Sequence, residues 1–127
     1  MPDEVEISSV CAVIGEAGIG RVVAAFYRQI PDDDLLGSLY PPQDLAEAET
    51  RLREFLIFRF GGPEYYLQHR GHPRLRMRHA PFPISQSVRD RWVALMDRAL
   101  AEAELPADTA AIMQALLHHI ATFLLNS

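Results

Sequence analysis

The chain contains no lysine: all twelve basic residues are arginine, against seventeen carboxylates, for a net charge of −5. That balance excludes a general nucleic-acid binder, which needs a surplus of positive charge. It leaves the arginines suited to planar carboxylate partners. Cysteine is nearly absent, with Cys11 alone. A lone thiol excludes an intrachain disulfide and a cysteine-based zinc site. It reads as a small packed side chain in a reducing, cytoplasmic setting. No apolar run approaches the roughly 20 residues that span a bilayer, so no membrane contact is expected. The opening Met1-Pro2-Asp3-Glu4-Val5-Glu6 is acidic where a secretory signal is basic and then apolar. Alternating strand patterns, internal repeats and low-complexity stretches are missing too. So are a Ser/His/Asp or Cys/His arrangement, a nucleotide-binding glycine loop and a carboxylate pair.

What is present is helical spacing punctuated by proline and glycine. Val22, Val23, Phe26, Tyr27 and Ile30 recur at one-face steps, which predicts a helix from about Gly18-Ile19-Gly20 to Pro31. An earlier helical piece over Val10 to Ile14 is only weakly patterned. Asp32-Asp33-Asp34 forms a turn, and any of the three could cap a short helix ending near Tyr40. Asp44 with Glu47 has the spacing of a capping box. Behind it Leu45, Ala48, Leu52, Phe55 and Leu56 share a face, up to the stop at Gly61-Gly62-Pro63. Ser85 or Ser87 caps a helix bearing Val88, Trp92, Leu95, Met96, Ala99 and Leu100. Asp108 is placed to cap a last one bearing Ile112, Leu116, Ile120, Phe123 and Leu124.

The segment between Gly61 and Pro83 is the exception. Glu64 to Gly71 has no sustained period. Pro73 suits a helix start, while Pro81 and Pro83 forbid a long helix. About two turns remain, from Pro73 to His79, too few to persist alone in water. Packing or a bound group must hold them. His79 falls one turn after Leu75 on the same face, and Arg74 and Arg78 share an adjoining face. An imidazole over an apolar residue, flanked by guanidinium groups, is what a haem asks for: a nitrogen for iron, apolar contact for the porphyrin and cations for two propionates.

Other readings of these residues stand beside that one. His79 could be a surface or satisfied core histidine. His69, His72 and His79 together could form a zinc or nickel site. Residues 70–78 hold four of the twelve arginines and could form a nucleic-acid patch. Tyr27 and Trp92 are each the kind of residue that anchors a core. Aimed into one pocket, they would instead be two hydrogen-bond donors. His118-His119 reads as a helix-surface pair.

Several strings resemble the group II truncated haemoglobins. They are Gly61-Gly62-Pro63, then Gln68-His69-Arg70-Gly71-His72-Pro73-Arg74-Leu75-Arg76-Met77-Arg78-His79-Ala80-Pro81-Phe82, with Phe26-Tyr27, Tyr40-Pro41, Leu45-Ala46, Ala48, Arg89-Asp90 and Trp92 in matching order. The likeness runs over about residues 20–100. It implies an all-α, globin-like two-over-two helical sandwich over residues 1–127 and a haem b cofactor. It implies His79 as the iron ligand, with Tyr27, Tyr40 and Trp92 stabilising the ligand on the distal side. Ala48 then falls where other globins carry a distal histidine, with Leu52 and Phe55 walling the pocket. Phe26, Tyr66, Leu75 and Ile84 complete the haem surround, and Arg51 and Arg78, with His72, would meet the propionates. One departure is visible: the family's glycine pair between its first two helices reads Ile14-Gly15 here, with Gly18 and Gly20 beyond.

Bound O2 carries partial negative charge, and each donor to such an acceptor contributes about 1.5–3 kcal/mol. A tightly held ligand makes a poor carrier. The resemblance therefore points to redox chemistry with O2 and NO, or with peroxide, CO being a further ligand, and with a separate reductase and a homodimer as partners. The alternatives are simple O2 storage or sensing and, from a different class, a haem-free helical interaction domain.

Overall fold

A computed structural model, describing residues 1–127, shows seven α-helices and no strand: α1 (Glu4–Ser8), α2 (Val10–Arg28), α3 (Leu45–Arg59), α4 (Tyr65–Arg70), α5 (Leu75–His79), α6 (Gln86–Glu102) and α7 (Ala107–Phe123). Two short 3-10 turns, Gly37–Leu39 and Pro42–Asp44, join α2 to α3. The long helices form two layers. α2 lies against α3 in one, α6 against α7 in the other, and α2 crosses onto α6. The fold is the two-over-two globin sandwich that the resemblance implied.

The apolar stripes of α2, α3 and α6 face the shared core as their spacing requires, whereas α7 buries Thr109, Met113, Leu116, Leu117 and Ala121 and leaves the expected Phe123 exposed. Ile19, Val22, Val23 and Phe26 from α2 are fully buried, as are Leu56 from α3, Met96 and Ala99 from α6 and Met113 from α7. α2 begins eight residues earlier than its pattern suggested. The Val10–Ile14 piece is a real helix, separated from the rest by Gly15, whose backbone (φ 73, ψ 172) is not helical. Only glycine enters that region without steric cost, so the break falls where Ile14-Gly15 replaces the family's glycine pair. The result is also a 19-residue helix long and apolar enough to cross a membrane, although its sequence is interrupted by glycine and charged residues. Half of it is buried in the core.

Capping explains where several elements start and where expectation failed. Asp3 and Glu6 form a reciprocal capping box on α1. The box expected at Asp44 and Glu47 is not made, because Asp44 already lies in a 3-10 turn with α-region backbone (φ −103, ψ −3) and cannot turn its carboxylate onto the helix amides. Glu47 instead meets Arg70 at 2.6 Å. Of the three aspartates after α2, Asp33 closes the turn, accepting from the amides of Leu36 at 2.7 Å and Leu35 at 3.0 Å, while the short Gly37–Leu39 helix starts at Leu36 without a side-chain cap. Ser85 caps α6 through the Val88 amide. Asp108 sits inside the first turn of α7, whose N-cap is Pro106.

The stop at Gly61-Gly62 has a steric cause. Gly61 has φ +93, and a Cβ there would collide with the Ser8 carbonyl oxygen. A Cβ at Gly62 would press on the Cys11 sulfur and on Ile57. α3 therefore ends in close backbone contact with the α1–α2 junction, where the Cys11 amide donates to the Phe60 carbonyl at 2.9 Å. Burial pushes the Cys11 thiol up from its ordinary value, with the Glu16 carboxylate adding to it, so the thiol is kept protonated and unreactive.

Candidate functional site

One side of the site is assembled by long helices. Phe26 and Tyr27 are consecutive on α2 and meet edge to face at 5.1 Å between ring centroids. Tyr27 meets Tyr40 the same way at 5.7 Å, and Trp92 from α6 tilts against Phe26 at 5.3 Å. Four of the predicted residues, from three stretches of chain far apart in sequence, thus form one aromatic cluster. Trp92 and Tyr27 both bear on the Tyr40 hydroxyl and oppose the effect of its burial.

Burial raises the Tyr27 hydroxyl well above its ordinary value, with the neighbouring Tyr40 adding to it and the Arg51 guanidinium opposing. Burial raises Tyr40 too, while Trp92, Arg51 and Tyr27 pull the other way. Both phenols therefore stay protonated, as donors must. Arg51 is close enough to be felt electrostatically at both tyrosines, and its side chain also reaches toward Glu47 at 3.9 Å.

α3 supplies the wall. Ala48 and Phe55 are buried, and Phe55 meets the buried Tyr66 of α4 at 5.6 Å. A second set of apolar residues packs on the core but keeps an exposed flank: Leu39, Leu45, Leu52, Leu75, Val88 and Trp92. Half-covered apolar side chains of this kind are what a flat apolar ligand would cover.

α5 carries the candidate metal ligand. His79 is half-buried, and its Nδ1 lies 2.7 Å from the Leu75 carbonyl oxygen. A carbonyl only accepts, so Nδ1 carries the proton and the neutral ring keeps its lone pair on Nε2. This is the tautomer that a nitrogen ligand to a metal needs, with its orientation fixed by the other nitrogen. α5 starts at Leu75, two residues after Pro73, because Arg74 takes the left-handed conformation (φ 45, ψ 52).

The remaining predicted residues are placed less directly. Arg78 donates through Nη2 to the carbonyls of Arg70 at 2.9 Å and His72 at 3.2 Å, so it braces the α4–α5 loop. His72 is exposed and enters through that carbonyl. Ile84 is half-buried beyond α5 and is tied to Asn126 by its backbone. The three-histidine metal site is not formed: His69 turns to Glu54 at 3.0 Å, and no cluster of three metal-ligating side chains exists. His118 is more than a surface residue, since its Nε2 meets Asp97 across the α6–α7 contact at 2.7 Å.

The residues present fit a haem by the chemistry of the donor set. There is one imidazole with a free Nε2, a set of half-covered apolar side chains, and two phenols and an indole grouped in one aromatic cluster. Sequence reasoning missed Leu39 among those side chains, Arg70, and Asn126. The arginine holds Glu47 and has a buried Nε with no partner. Helical spacing carries no signal for them, because they lie in or beside short turns.

Comparison with known proteins gives a consistent result. The family model described as bacterial-like globin matches residues 11–126. The group 2 truncated haemoglobin YjbI of Bacillus subtilis is 38% identical over 87 residues, which is 68% of this chain and 65% of that protein, just under two thirds of its length. Among solved structures, the haemoglobin of the thermophilic phototrophic bacterium Chloroflexus aurantiacus superposes with a TM-score of 0.89 at 42% identity, over 93% of this chain and 98% of that one. The truncated oxygen-avid haemoglobin of Bacillus subtilis superposes at 0.86 with 32% identity, over 92% and 98% of the two chains.

Proposed function

Because the chain belongs to the bacterial-like globin family, on its group II truncated haemoglobin branch, we propose that it binds haem b through His79 and holds a diatomic ligand against Tyr27, Tyr40 and Trp92. The observation that carries this reading is the 2.7 Å contact from His79 Nδ1 to the Leu75 carbonyl, which leaves Nε2 as the free nitrogen. When bound, the haem supplies an iron at which O2, NO or CO can add. Everything else in the proposal concerns what this chain's side chains do around that position.

Tyr27 and Trp92 offer an O–H and an N–H, and Tyr40 a further O–H, from within an apolar wall. Each donor strengthens the hold on a ligand bearing partial negative charge by about 1.5–3 kcal/mol. At roughly 1.4 kcal/mol for each factor of ten, two such donors slow release by about a hundredfold or more. Ala48, small where a larger side chain would close the wall, leaves room for a ligand to enter. Slow release suits consumption of O2 with NO, or reduction of peroxide, better than delivery, with electrons from a separate reductase.

The visible spectrum after haem addition tests the binding. A sharp Soret band that is lost in His79→Ala is expected; a featureless spectrum would leave a haem-free interaction domain. Stopped-flow O2 dissociation tests the hold. Release should quicken about tenfold or more in Tyr27→Phe and in Trp92→Phe. Fast release in the parent, unchanged by either substitution, would mark a storage globin.

A further inference from the structure

α5 is the least supported helix of the molecule. It has five residues and none is buried. No other helix packs extensively against it. A helix this short does not persist alone, so whatever fixes His79 must act through other contacts. At its start the brace is Arg78, whose guanidinium ties α5 to the Arg70 and His72 carbonyls.

At its end the brace comes from the far terminus of the fold. Asn126, three residues beyond α7, makes four hydrogen bonds to the stretch that leaves α5. Its backbone N–H donates to the Ile84 carbonyl at 3.1 Å. Its Oδ1 accepts from the Ile84 amide at 2.8 Å. Its Nδ2 donates to the Phe82 carbonyl at 3.0 Å and reaches the His79 carbonyl at 3.4 Å. The amide orientation is forced, since the atom facing an N–H must be the oxygen and the atom facing two carbonyls the nitrogen. Nearby, the Arg76 guanidinium lies over the Phe123 ring at 5.2 Å, a second tie between α5 and the end of α7.

We propose that Asn126 is a positioning residue for His79: its side-chain amide clamps residues 79–84 and so fixes the depth and tilt of the imidazole toward the haem. The assignment rests on the haem reading above. The clamp gives partners to backbone groups of a segment, Ala80 to Ile84, that no helical period organises. The Asn126 backbone bond would survive N126A and N126D, whereas the bonds made by Nδ2 would not.

The test uses the haem-loaded protein with N126A and N126D. The aspartate keeps an acceptor for the Ile84 amide but loses both Nδ2 donors. Three readouts are taken: haem loss to an excess of an acceptor apoprotein, the iron–histidine stretching band in resonance Raman of the ferrous protein, and amide hydrogen exchange at residues 79–84. Both variants should lose haem about tenfold faster, the equivalent of one hydrogen bond of about 1.4 kcal/mol. Both should shift or broaden the stretching band, and both should exchange faster at residues 80–84. A lowered melting point with an unmoved band and unchanged haem loss would make Asn126 merely structural and overturn the proposal. N126D behaving as the parent would overturn it as well. A parent that retains no haem would instead remove the reading beneath it, and the Soret band of the parent separates that outcome from the other two.

Discussion

Tyr27 and His79 stand on elements of opposite character. Tyr27 rides on α2, a 19-residue helix packed against α3 and α6, among side chains that are fully buried. His79 rides on a five-residue helix with no buried residue, held by side chains that grip backbone carbonyls. The first is positioned by the hydrophobic core and would stay in place with nothing bound. The second is positioned by polar clasps and, on the haem reading, by the ligand itself. On that reading, a rigid cluster of donors and a lightly held arm would let the bound group complete the fold, linking binding and stability through α5 alone.

Substitutions on the two sides should therefore cost in different ways. Phe26→Ala removes a fully buried ring that touches both Tyr27 and Trp92. It should lower stability by about 3–5 kcal/mol in chemical denaturation, with or without haem. Leu75→Ala is the converse case. Leu75 is only half-buried, so the haem-free protein should lose about 1 kcal/mol or less, while haem-loaded protein loses its extra stabilisation and releases haem faster. Equal losses for Leu75→Ala in both forms would show that α5 is core-packed after all.

The loop between α2 and α3, which carries Tyr40, gives a smaller effect with a pH signature. Burial pushes the Asp33 carboxyl up, but the amides of Leu36 and Leu35 and the Arg91 guanidinium outweigh it and hold the group below its ordinary value. A carboxyl depressed in the folded state stabilises above its unfolded pKa, and that contribution disappears as pH falls through the folded value. Asp33→Ala should cost about 1 kcal/mol near neutrality. Thermal melts should show the gap from the parent closing below about pH 4. A gap that persists at pH 2 would assign the loss to packing. Smallest of all, Arg28→Ala breaks an exposed pair with Glu102 at 2.9 Å, remote from both sides, and should change stability by about 0.5 kcal/mol or less.

The same division governs what could be read from the sequence. The faces of α3 and α6 were legible because three or more turns repeat their apolar spacing, and so was most of α2; on α7 only Leu116 of the expected stripe is buried, because the face turned to the core is that of Thr109, Met113, Leu117 and Ala121. Phe26, Tyr27 and Trp92 lie on those faces, and the distal cluster followed from them once the fold was known. α4 was not legible: six residues with only Tyr66 buried give no period. The capping box at Asp44 failed because its signal is the side-chain spacing alone, and the 3-10 turn that precludes it depends on Pro41 and Pro42. The clasps by Arg78 and Asn126 left no trace, since their partners are backbone carbonyls, which every residue has. Pro73, Pro81 and Pro83 did show that α5 must be short, and hence that something else must hold it.

The most direct measurement is a haem titration of His79→Gly, with and without added imidazole, followed at the Soret band. If Nε2 of His79 is the nitrogen that meets the iron, the substitution should abolish stoichiometric haem binding, and free imidazole, filling the space left by the side chain, should restore it. Haem bound by His79→Gly as tightly as by the parent, with a spectrum indifferent to imidazole, would contradict it.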